Sequence, residues 1–412
     1  MKKYEEFAKR SIPRLAPMAH KYIEEFLDYG IHNTRSCGIS SRFESQFAER
    51  FGCKYGILHA NGTATMHSAL IAAGIGAGDE VIVPSITAGA TAFVALYANA
   101  VPIFADIDAE TFEIDVKDIE MKITSRTKAI IPVALYGLAS DLDPIMELAR
   151  NHNLLVIEDN AQCYLGYYKG RIVGSIGHAA SFSFQGSKHL TCGDGGITIT
   201  NDPEYAAGIR RACCFGYSTI TSKPGSNTIP KEVRALPTFE RHASLGYNFR
   251  LPEIAAAIAL AELERLDEIV AMRQALAAQL TQVVKDCSWL IPQKTPDDCV
   301  HSYWTYVMRI TDNGPSWEEF RKKFVELGGN GWYGSWLPIY KEPVMRNLAK
   351  DVIENPSKYP HWTGIMPDYR QVHLSNTERI QPRLIQMKLN IFDLDEGQKQ
   401  ADILAKAIKY FG

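Results

Sequence analysis

Short apolar runs alternate with amphipathic stretches between residues 54 and 200 of the chain. The runs are continuous and rich in β-branched residues, which is typical of strands that are covered on both faces. Seven strands are predicted, at 54–60, 81–85, 101–107, 129–135, 154–159, 180–185 and 195–200. Helix-like segments lie between several of them, at 63–75, 90–100 and 143–153. The alternation predicts an α/β fold in which a large domain contains a mainly parallel, seven-stranded sheet.

The pattern changes after residue 200. Residues 216–243 are rich in Ser, Thr, Pro and Gly and are predicted to form a long loop, of a length that is typical of functional or disordered loops. Residues 251–284 follow one long helical pattern, of the kind that bridges two domains. A strand and two helices are predicted beyond it, at 301–310, 316–327 and 396–411. We therefore predict a large domain at 1–265, with an N-terminal helical segment, and a smaller C-terminal α+β domain at 266–412.

Composition and charge restrict the class of protein. A chain of 412 residues is too long for one simple core, which agrees with two domains. With 44 basic and 47 acidic residues the net charge is −3, so no overall field attracts nucleic acid or an anionic membrane. Apolar stretches are interrupted well before the length of about 20 residues that a membrane helix needs. Neither nucleic acid nor a membrane is expected as a partner.

The N-terminal segment MKKYEEFAKRSIPRL is charged throughout and lacks the apolar run of a signal peptide. The eight cysteines are scattered, and none stands in a CxxC pair. Reduced thiols are therefore expected in preference to a disulfide framework or a zinc site. These features predict a cytoplasmic protein without a bound metal.

An Asn-Gly-Thr turn at 61–63 stands between a predicted strand and a predicted helix. Gly62 would let the backbone approach an anion, and the helix that begins near Thr63 offers free N–H groups and the positive end of its dipole. A turn of this kind also occurs for conformational reasons alone. It is the first candidate for a phosphate site.

The run LLVIEDNAQ at 154–162 is a strand pattern that ends in two acids. Ligands of open parallel sheets bind at the carboxyl ends of strands, which is where Asp159 is expected. A carboxylate there can hold a ring nitrogen in its protonated form by charge pairing. The alternative is an aspartate that caps the next helix.

The segment SFSFQGSKHLTCGDGG at 181–196 presents Ser183 on a strand and Lys188 on a short turn, followed by glycines. Burial would lower the pKa of the Lys188 amine and make it a nucleophile towards a carbonyl. Most lysines are solvated, so an exposed loop lysine is the alternative. The glycines of GDGG indicate a close approach of the backbone or positive φ angles.

The segment LGYNFRLPE at 245–253 precedes the long helical pattern. Asn248 and Arg250 are candidates to bind a phosphate or a substrate anion. The alternative is a simple helix start, because Pro252 is well suited to a first helical turn.

These motifs occur together and in order. The sequence strongly resembles the DegT/DnrJ/EryC1/StrS family of sugar aminotransferases, which depend on pyridoxal phosphate (PLP), from about residue 35 to the end. The similarity is densest in FESQFAERFGCKYGILHANGTATMHSAL, GAGDEVIVPSIT, VPIFADID, VIEDNAQ, SFSFQGSK and LGYNFRLPEIAAAIALAELERLDE. The resemblance implies the aspartate aminotransferase-like fold (fold type I). It also implies PLP as the cofactor, with pyridoxamine phosphate as the form that carries the amino group.

The resemblance assigns the reacting groups residue by residue. Lys188 matches the lysine that binds PLP covalently, and Asp159 matches the acid that pairs with the pyridine nitrogen. Gln162 matches the residue that contacts the ring oxygen of the cofactor. A related group of the family has histidine in place of the lysine and dehydrates sugars. Lys188, which is followed by His189, places the chain on the aminotransferase side.

The resemblance also implies a phosphate cup and a second subunit. Gly62, Thr63 and Ser183 match the cup. Asn248 matches an asparagine that reaches the phosphate from the partner, which implies a homodimer with shared active sites.

The sequence departs from the family pattern at two points. An aromatic residue that stacks on the PLP ring usually follows the PSxT turn, whereas Ala88 stands here. Either another side chain stacks on the ring, or that face is open to the substrate. The segment GDGG replaces the more frequent GEGG, which is a minor change.

We predict an enzyme that transfers an amino group from glutamate or glutamine to a keto sugar, with a nucleotide-linked keto-deoxysugar as the first choice. A keto-cyclitol of the scyllo-inosose type is the alternative acceptor. Other PLP reactions, such as racemisation, desulfuration or aldol cleavage, would use a similar lysine and aspartate. A non-catalytic regulatory protein that kept the fold is the alternative from another class. Residues 216–243 and 328–343 are predicted to shape the acceptor pocket.

Overall fold

The computed structural model describes residues 7, 9–28, 38–224 and 229–412. Its largest sheet has seven strands whose side chains are mostly buried. They are β1 (Tyr55–His59), β2 (Glu80–Pro84), β3 (Val101–Ala105), β4 (Thr127–Ile130), β5 (Leu155–Asp159), β8 (Ala179–Ser183) and β9 (Gly196–Thr200). Two short strands, β6 (Tyr167–Tyr168) and β7 (Arg171–Ile172), form a hairpin between β5 and β8. The seven-stranded sheet that the sequence predicts is confirmed.

The strand order in this sheet is β1-β9-β8-β5-β4-β2-β3. The pairs from β8 through β5, β4 and β2 to β3 are parallel, whereas β9 is antiparallel to both β8 and β1. Strands β1, β5 and β8 therefore run in the same direction, and their carboxyl ends meet at one edge of the sheet. This edge is where Asp159 and Ser183 end their strands and where Gly62 follows β1.

Helices cover both faces of the sheet. Strands β8 and β9 pack on one face against a cluster that includes Phe43, Phe47 and Leu260. The other face packs β1 and β2 against a cluster that includes Leu70 and Val94. The helices of this part are α1 (Ala19–Asp28), α2 (Gly38–Arg50), α3 (Gly62–Ala72), α4 (Gly89–Tyr97), α5 (Val116–Lys122), α6 (Leu142–His152), α7 (Pro203–Cys213) and α8 (Lys231–Ala235). The helices predicted between the strands are confirmed within a few residues.

The long helix predicted at 251–284 is interrupted, and that prediction is wrong in this respect. Two helices stand there, α9 (Glu253–Glu264) and α10 (Leu266–Val284), and Arg265 between them leaves helical geometry with φ −108° and ψ 14°. The Arg265 guanidinium binds the carboxylate of Glu262 and the backbone carbonyls of Pro13 and Arg14. These contacts hold the break in place by fixing it to the N-terminal segment.

The C-terminal part forms a smaller α+β unit. Its four-stranded sheet has the order β10-β12-β14-β13, with β10 (Leu290–Pro292), β12 (Thr305–Ile310), β13 (Tyr333–Gly334) and β14 (Leu384–Lys388). The short strand β11 (Cys299–Val300) instead pairs with β6 of the large domain. The helices are α11 (Trp317–Glu326), α12 (Pro343–Glu354), α13 (Ser375–Ile380) and α14 (Leu394–Phe411). The strand and two helices predicted for this part are confirmed.

The segment 216–243 contains the single short helix α8 in its described part, and its residues 225–228 lie outside the described ranges. Most of its described residues are exposed or half-buried. All seven cysteines that the structure describes are free. In the described ranges, every helix is too short or too polar to cross a bilayer.

Candidate active site

Asp159 is the last residue of β5 and is almost fully buried. Its Oδ2 accepts a hydrogen bond from Thr91 Oγ1 at 2.8 Å, and its Oδ1 accepts one from the Ala161 N–H at 3.1 Å. The helix-cap alternative does not apply, because the Asp159 side chain caps only the turn that follows β5. Burial raises the pKa of Asp159, while the bonds from Thr91 and Ala161 and the charge of Lys188 lower it.

Lys188 lies on the turn that follows β8. The turn is closed by the Lys188 N–H, which donates to Gln185 O at 2.9 Å, and by Ser187 N, which donates to Gln185 Oε1 at 2.9 Å. The side chain is half-buried, and its Nζ lies 4.5 Å from the ring centroid of Trp304. Burial lowers the pKa of the Lys188 amine to about 8. The alternative of an ordinary solvated lysine is therefore not what the structure shows.

Lys188 and Asp159 interact electrostatically, although their side chains do not form an ion pair within the described ranges. The Asp159 charge raises the pKa of Lys188 and so opposes burial, while the buried Arg273 lowers it further. The amine consequently reaches its neutral, nucleophilic form at a lower pH than an exposed lysine does.

The Asn-Gly-Thr turn lies directly beside Ser183. A Cβ atom on Gly62 would stand 2.7 Å from Ser183 Cβ and 3.1 Å from Ser183 Oγ, so a side chain at this position has no room. Asn61 caps α3, since its Oδ1 accepts from Ala64 N at 2.9 Å. The N–H groups of Gly62 and Thr63 have no acceptor within the helix, which leaves them free for an anion.

The buried hydroxyls of Thr65 and Ser181 connect this turn to strand β8. Thr65 Oγ1 lies 2.5 Å from Ser181 Oγ and donates to Gly62 O at the same distance. Ser181 stands on β8 two residues before Ser183, with which it shares a strand face. The hydroxyl pair therefore fixes the position of α3 on the strand that leads to Lys188.

Gln162 is buried and its carboxamide is oriented by the backbone. Its Oε1 accepts from the Tyr136 N–H at 2.7 Å, which leaves the amide NH₂ as the donor for another group. Tyr136 adopts a left-handed conformation with φ 62°, which is uncommon for a residue with a side chain. The Tyr136 hydroxyl meets Ser335 Oγ at 2.9 Å and so connects this turn to the C-terminal unit.

The C-terminal unit contributes an aromatic wall next to Lys188. Trp304 stacks on Trp336, with centroids 5.9 Å apart and ring planes 24° apart. The backbone N–H of Trp304 donates to the backbone carbonyl of Tyr136 at 2.7 Å. Gly137 permits this approach, because a Cβ atom there would lie 2.8 Å from Trp304 N. Trp336 belongs to the segment 328–343, for which a role in the acceptor pocket is predicted from sequence.

The structure shows no hydrogen bond or ion pair between Lys188 or Asp159 and the described residues Asn248, Arg250 and Ala88. Asn248 is exposed, and its backbone pairs with Cys214 in an isolated bridge. The Arg250 guanidinium lies over the ring of Phe215, 5.3 Å from its centroid. Ala88 precedes α4 and is half-buried, and Trp304 is the aromatic residue that lies over the Lys188 amine.

The sequence analysis missed several contributors to the site. Thr91 contributes through the hydrogen bond that its hydroxyl donates to Asp159. The Thr87 hydroxyl lies 2.9 Å from the Thr91 hydroxyl. The signal available for both was their place after β2, since the carboxyl ends of parallel strands meet at one edge. Trp304 and Arg273 come from the C-terminal half, and local sequence carries no signal for their contacts.

The amine, the carboxylate and the backbone N–H groups of this site suit a flat cofactor with an aldehyde, a ring nitrogen and a phosphate. The cradle at Gly62, which a Cβ atom would fill, and the free N–H groups of α3 suit the phosphate. The Lys188 amine suits the aldehyde, and the buried Asp159 carboxylate suits a protonated ring nitrogen. The residues that are present therefore fit PLP.

A mainly parallel sheet with a lysine of lowered pKa and a buried acid at the carboxyl ends of its strands is the arrangement of a fold type I enzyme that uses PLP.

The chain belongs to the DegT/DnrJ/EryC1/StrS aminotransferase family, whose sequence model matches residues 19–383. It is 39% identical over 349 residues to GDP-perosamine synthase of Caulobacter vibrioides, which covers 82% of this chain and 89% of that protein. It is 35% identical over 374 residues to GDP-perosamine synthase of Escherichia coli O157:H7, covering 89% of this chain and 94% of that protein. The structure of the aminotransferase from Psychrobacter cryohalolentis superimposes with a TM-score of 0.81 at 28% identity, covering 96% of each chain. The family implies PLP as the cofactor.

Proposed function

We propose that this aminotransferase uses PLP bound to Lys188 to move an amino group from glutamate or glutamine to a nucleotide-linked keto sugar. One observation carries the proposal. The Lys188 amine has a pKa lowered to about 8 and interacts with the buried Asp159 at the edge of the sheet. Glycine and helix N–H groups for a phosphate lie at the same edge.

The remaining roles are assigned from the contacts of each residue. Gly62, Thr63 and Ser183 form the phosphate cup, because the first two offer backbone N–H groups at the start of α3 and the Ser183 side chain lies against Gly62. Gln162 donates its amide to the ring oxygen, since its carboxamide oxygen is already bound to Tyr136.

In this reaction PLP supplies the electron sink that stabilises negative charge at the carbon of the amino donor. The ionised form of Asp159 would favour the protonated form of the group that faces its carboxylate. Lys188 Nζ accepts the proton from the α-carbon of the donor, and it returns a proton to the acceptor carbon in the second half of the reaction. The buried Thr91 hydroxyl keeps Asp159 in its anionic form by donating to Oδ2.

The acceptor class is proposed from the relatives together with the pocket wall. Both curated relatives described above are named GDP-perosamine synthases, which favours a nucleotide-linked sugar as the acceptor. Trp304 and Trp336 present stacked indoles beside Lys188, and aromatic faces of this kind bind flat or apolar faces of a substrate. A keto-cyclitol remains the alternative, and the acceptor screen below discriminates between the two.

We propose that the enzyme is a homodimer with shared active sites. The exposed segment that contains Asn248 carries large apolar side chains that a monomer would leave in water, a feature typical of interaction surfaces. The exposed side chains are Phe215, Val233, Leu236, Leu245 and Tyr247, and the exposed Tyr97 at the end of α4 lies near them, because Tyr97 and Tyr247 both pack against His67. A second copy seated here would cover them and would receive Asn248 at its phosphate cup.

Two further expectations remain proposals. We propose a domain boundary between residues 265 and 266, which is supported by the break between α9 and α10 at Arg265. We also propose a cytoplasmic location, which the seven free cysteines of the described ranges support.

The proposal is tested with purified enzyme, glutamate or glutamine as donor, and a panel of nucleotide keto-sugars and keto-inositols as acceptors. Glutamate should convert the enzyme-bound cofactor to pyridoxamine phosphate, and a nucleotide keto-sugar should then be aminated. Lys188→Ala should lower turnover by more than about a hundredfold, because it removes both the cofactor linkage and the proton carrier. Lys169→Ala, at an exposed lysine that binds Asp143, is the control. Wild-type turnover in Lys188→Ala would disprove the proposal, and amination of keto-inositols alone would replace the acceptor class.

A further inference from the structure

Arg273 is a buried cation on α10, about two helical turns after the break at Arg265. Its Nη1 donates to Trp304 O at 2.7 Å. Its Nη2 donates to Ser187 O at 3.1 Å and to Lys188 O at 3.2 Å. A single planar group therefore binds the backbone of the lysine turn and the backbone of the tryptophan that faces the lysine.

A second contact closes the same arrangement. The Trp304 Nε1–H donates to Ser187 O at 3.0 Å, and the Lys188 amine lies 4.5 Å from the centroid of the Trp304 ring. The lysine turn, the indole and the guanidinium are thus joined in a closed set of contacts. A shift of any of them displaces the amine relative to the indole.

We propose that Arg273 is a positioning residue for Lys188, which fixes the lysine turn against Trp304 and thereby sets the place and the charge state of the amine. This inference rests on the proposed function of Lys188 as the residue that binds PLP. Arg273 does not contact the substrate or the reacting atoms in this role.

The geometry requires arginine. The guanidinium presents five N–H donors in a rigid fork, so it can reach three carbonyl oxygens on two separate segments. A lysine at the same place would keep the positive charge but would carry it on one compact ammonium group, which cannot bridge both segments in the same way.

The charge of Arg273 is also unusual for its surroundings. Arg265, the other buried arginine at the start of α10, is paired with the carboxylate of Glu262. In the described part of the chain, Arg273 has no such acid partner, and burial alone lowers its pKa, to about 9. The guanidinium stays protonated at neutral pH and leaves an uncompensated positive charge close to Lys188.

Three ionisable groups surround the Lys188 amine. Asp159 on β5 favours the charged amine and Arg273 on α10 disfavours it, while burial has the largest effect. His189, the next residue, is fully buried and its pKa is well below the ordinary value, so it is neutral at pH 7. Removal of the Arg273 charge must therefore raise the pKa of Lys188 and lower the fraction of neutral amine.

The test measures how fast the full-length apoenzyme captures PLP between pH 6 and pH 10. Capture is followed by absorbance, fixed with borohydride and mapped to Lys188 by peptide mass. The variants are Arg273→Gln, Arg273→Lys and Trp304→Phe, which loses the N–H donated to Ser187. The control is Arg265→Lys, at a second buried arginine that has its own acid partner. Melting temperatures and circular dichroism of all variants are recorded alongside.

Arg273→Gln should move the midpoint of capture to higher pH, with about a tenfold lower rate at pH 7 for each unit of that rise. Arg273→Lys should keep the midpoint and lower the rate at every pH, because the charge is retained and the fork is lost. Trp304→Phe should also lower the rate without a change in midpoint. Arg265→Lys should match wild type in both respects.

Wild-type midpoint and rate in a folded Arg273→Gln enzyme would overturn the inference. If Arg273→Gln does not fold, wild-type rates in both Arg273→Lys and Trp304→Phe would overturn it as well. An equal loss of rate in Arg265→Lys would show that Arg273 serves stability alone. Absence of fixed cofactor at Lys188 in the wild-type enzyme would instead refute the proposed function.

Discussion

Hydrogen bonds to the Asp159 carboxylate oppose the effect that burial has on its charge. Burial favours the neutral acid, and the donors from Thr91 and Ala161 favour the anion. An acid that must pair with a protonated ring nitrogen needs this second influence. The Thr91 hydroxyl is the part of the arrangement that a substitution can remove without touching the backbone.

We predict that Thr91→Val weakens PLP binding. A hydrogen bond to a charged group contributes about 1.5–3 kcal/mol, which corresponds to roughly ten- to a hundredfold in affinity. The pKa of Asp159 should rise further, so the carboxylate is lost at a higher pH as acid is added, and the acidic limb of the rate profile should move to higher pH. Equilibrium dialysis of PLP and a pH profile of turnover measure the two effects.

Thr91→Ser is the matched control, because it retains the hydroxyl that donates to Asp159. It should restore both the affinity and the position of the acidic limb. Equal affinity for PLP in Thr91→Val and wild type would show that the hydroxyl does not support the charge of Asp159.

At the level of single residues, sequence marked the candidate reacting groups and missed the residues that contact them. Lys188 and Asp159 stand in ordered motifs, and the structure places them in electrostatic contact. Thr91, Trp304 and Arg273 act through contacts with residues far away in the chain, so no local pattern marks them.

The start of α3 is the element on which the proposed phosphate cup depends. Its first residue, Gly62, lies against Ser183 on β8, and it follows β1, which ends at the same edge of the sheet as β8. We predict that Gly62→Ala weakens PLP binding by more than about tenfold, since the added Cβ atom meets Ser183 Cβ at 2.7 Å. The fluorescence of bound PLP provides the measurement.

Pyridoxal, which lacks the phosphate, separates a local effect from a general one. Gly62→Ala should lose affinity for PLP much more than for pyridoxal. Gly76→Ala is the control, because a Cβ atom there meets only Ala98 O, at 3.5 Å. Equal losses for both ligands would argue against a phosphate site at this turn.

At the level of elements, sequence predicted the seven strands and the helices between them well, because each follows a continuous local pattern. It missed the break at Arg265, since the apolar pattern runs through it without interruption. What holds the break is the binding of Arg265 to the carbonyls of Pro13 and Arg14, about 250 residues away. The periodicity of apolar residues within a helix carries no information about contacts with residues so far away in the chain.

Shared active sites can be tested on the whole molecule by mixing two inactive variants. Lys188→Ala lacks the reacting amine, and Asn248→Ala lacks the side chain expected to cross to the partner. If Asn248 acts on the partner's site, each mixed dimer has one intact site, and random mixing restores about a quarter of wild-type activity. The measurement is turnover after joint refolding or co-expression of the two chains.

The size of the dimer is measured by sedimentation in the same samples. No gain in activity from mixed dimers would place Asn248 in the site of its own chain. A monomer with full activity would refute sharing altogether. The exposed apolar side chains around residue 245 would then need another explanation.

The N-terminal segment joins the two parts of the molecule. Ile12 packs into the core of the C-terminal unit and donates its N–H to Phe392 O, whereas Ala16 packs into the core of the large domain and donates to Glu262. The five residues from 12 to 16 therefore connect the two cores, with one contact in each. Any rotation of the smaller unit about the Arg265 break would have to stretch or carry this segment, so a part of the chain that contributes no side chain to the candidate site restrains such a motion.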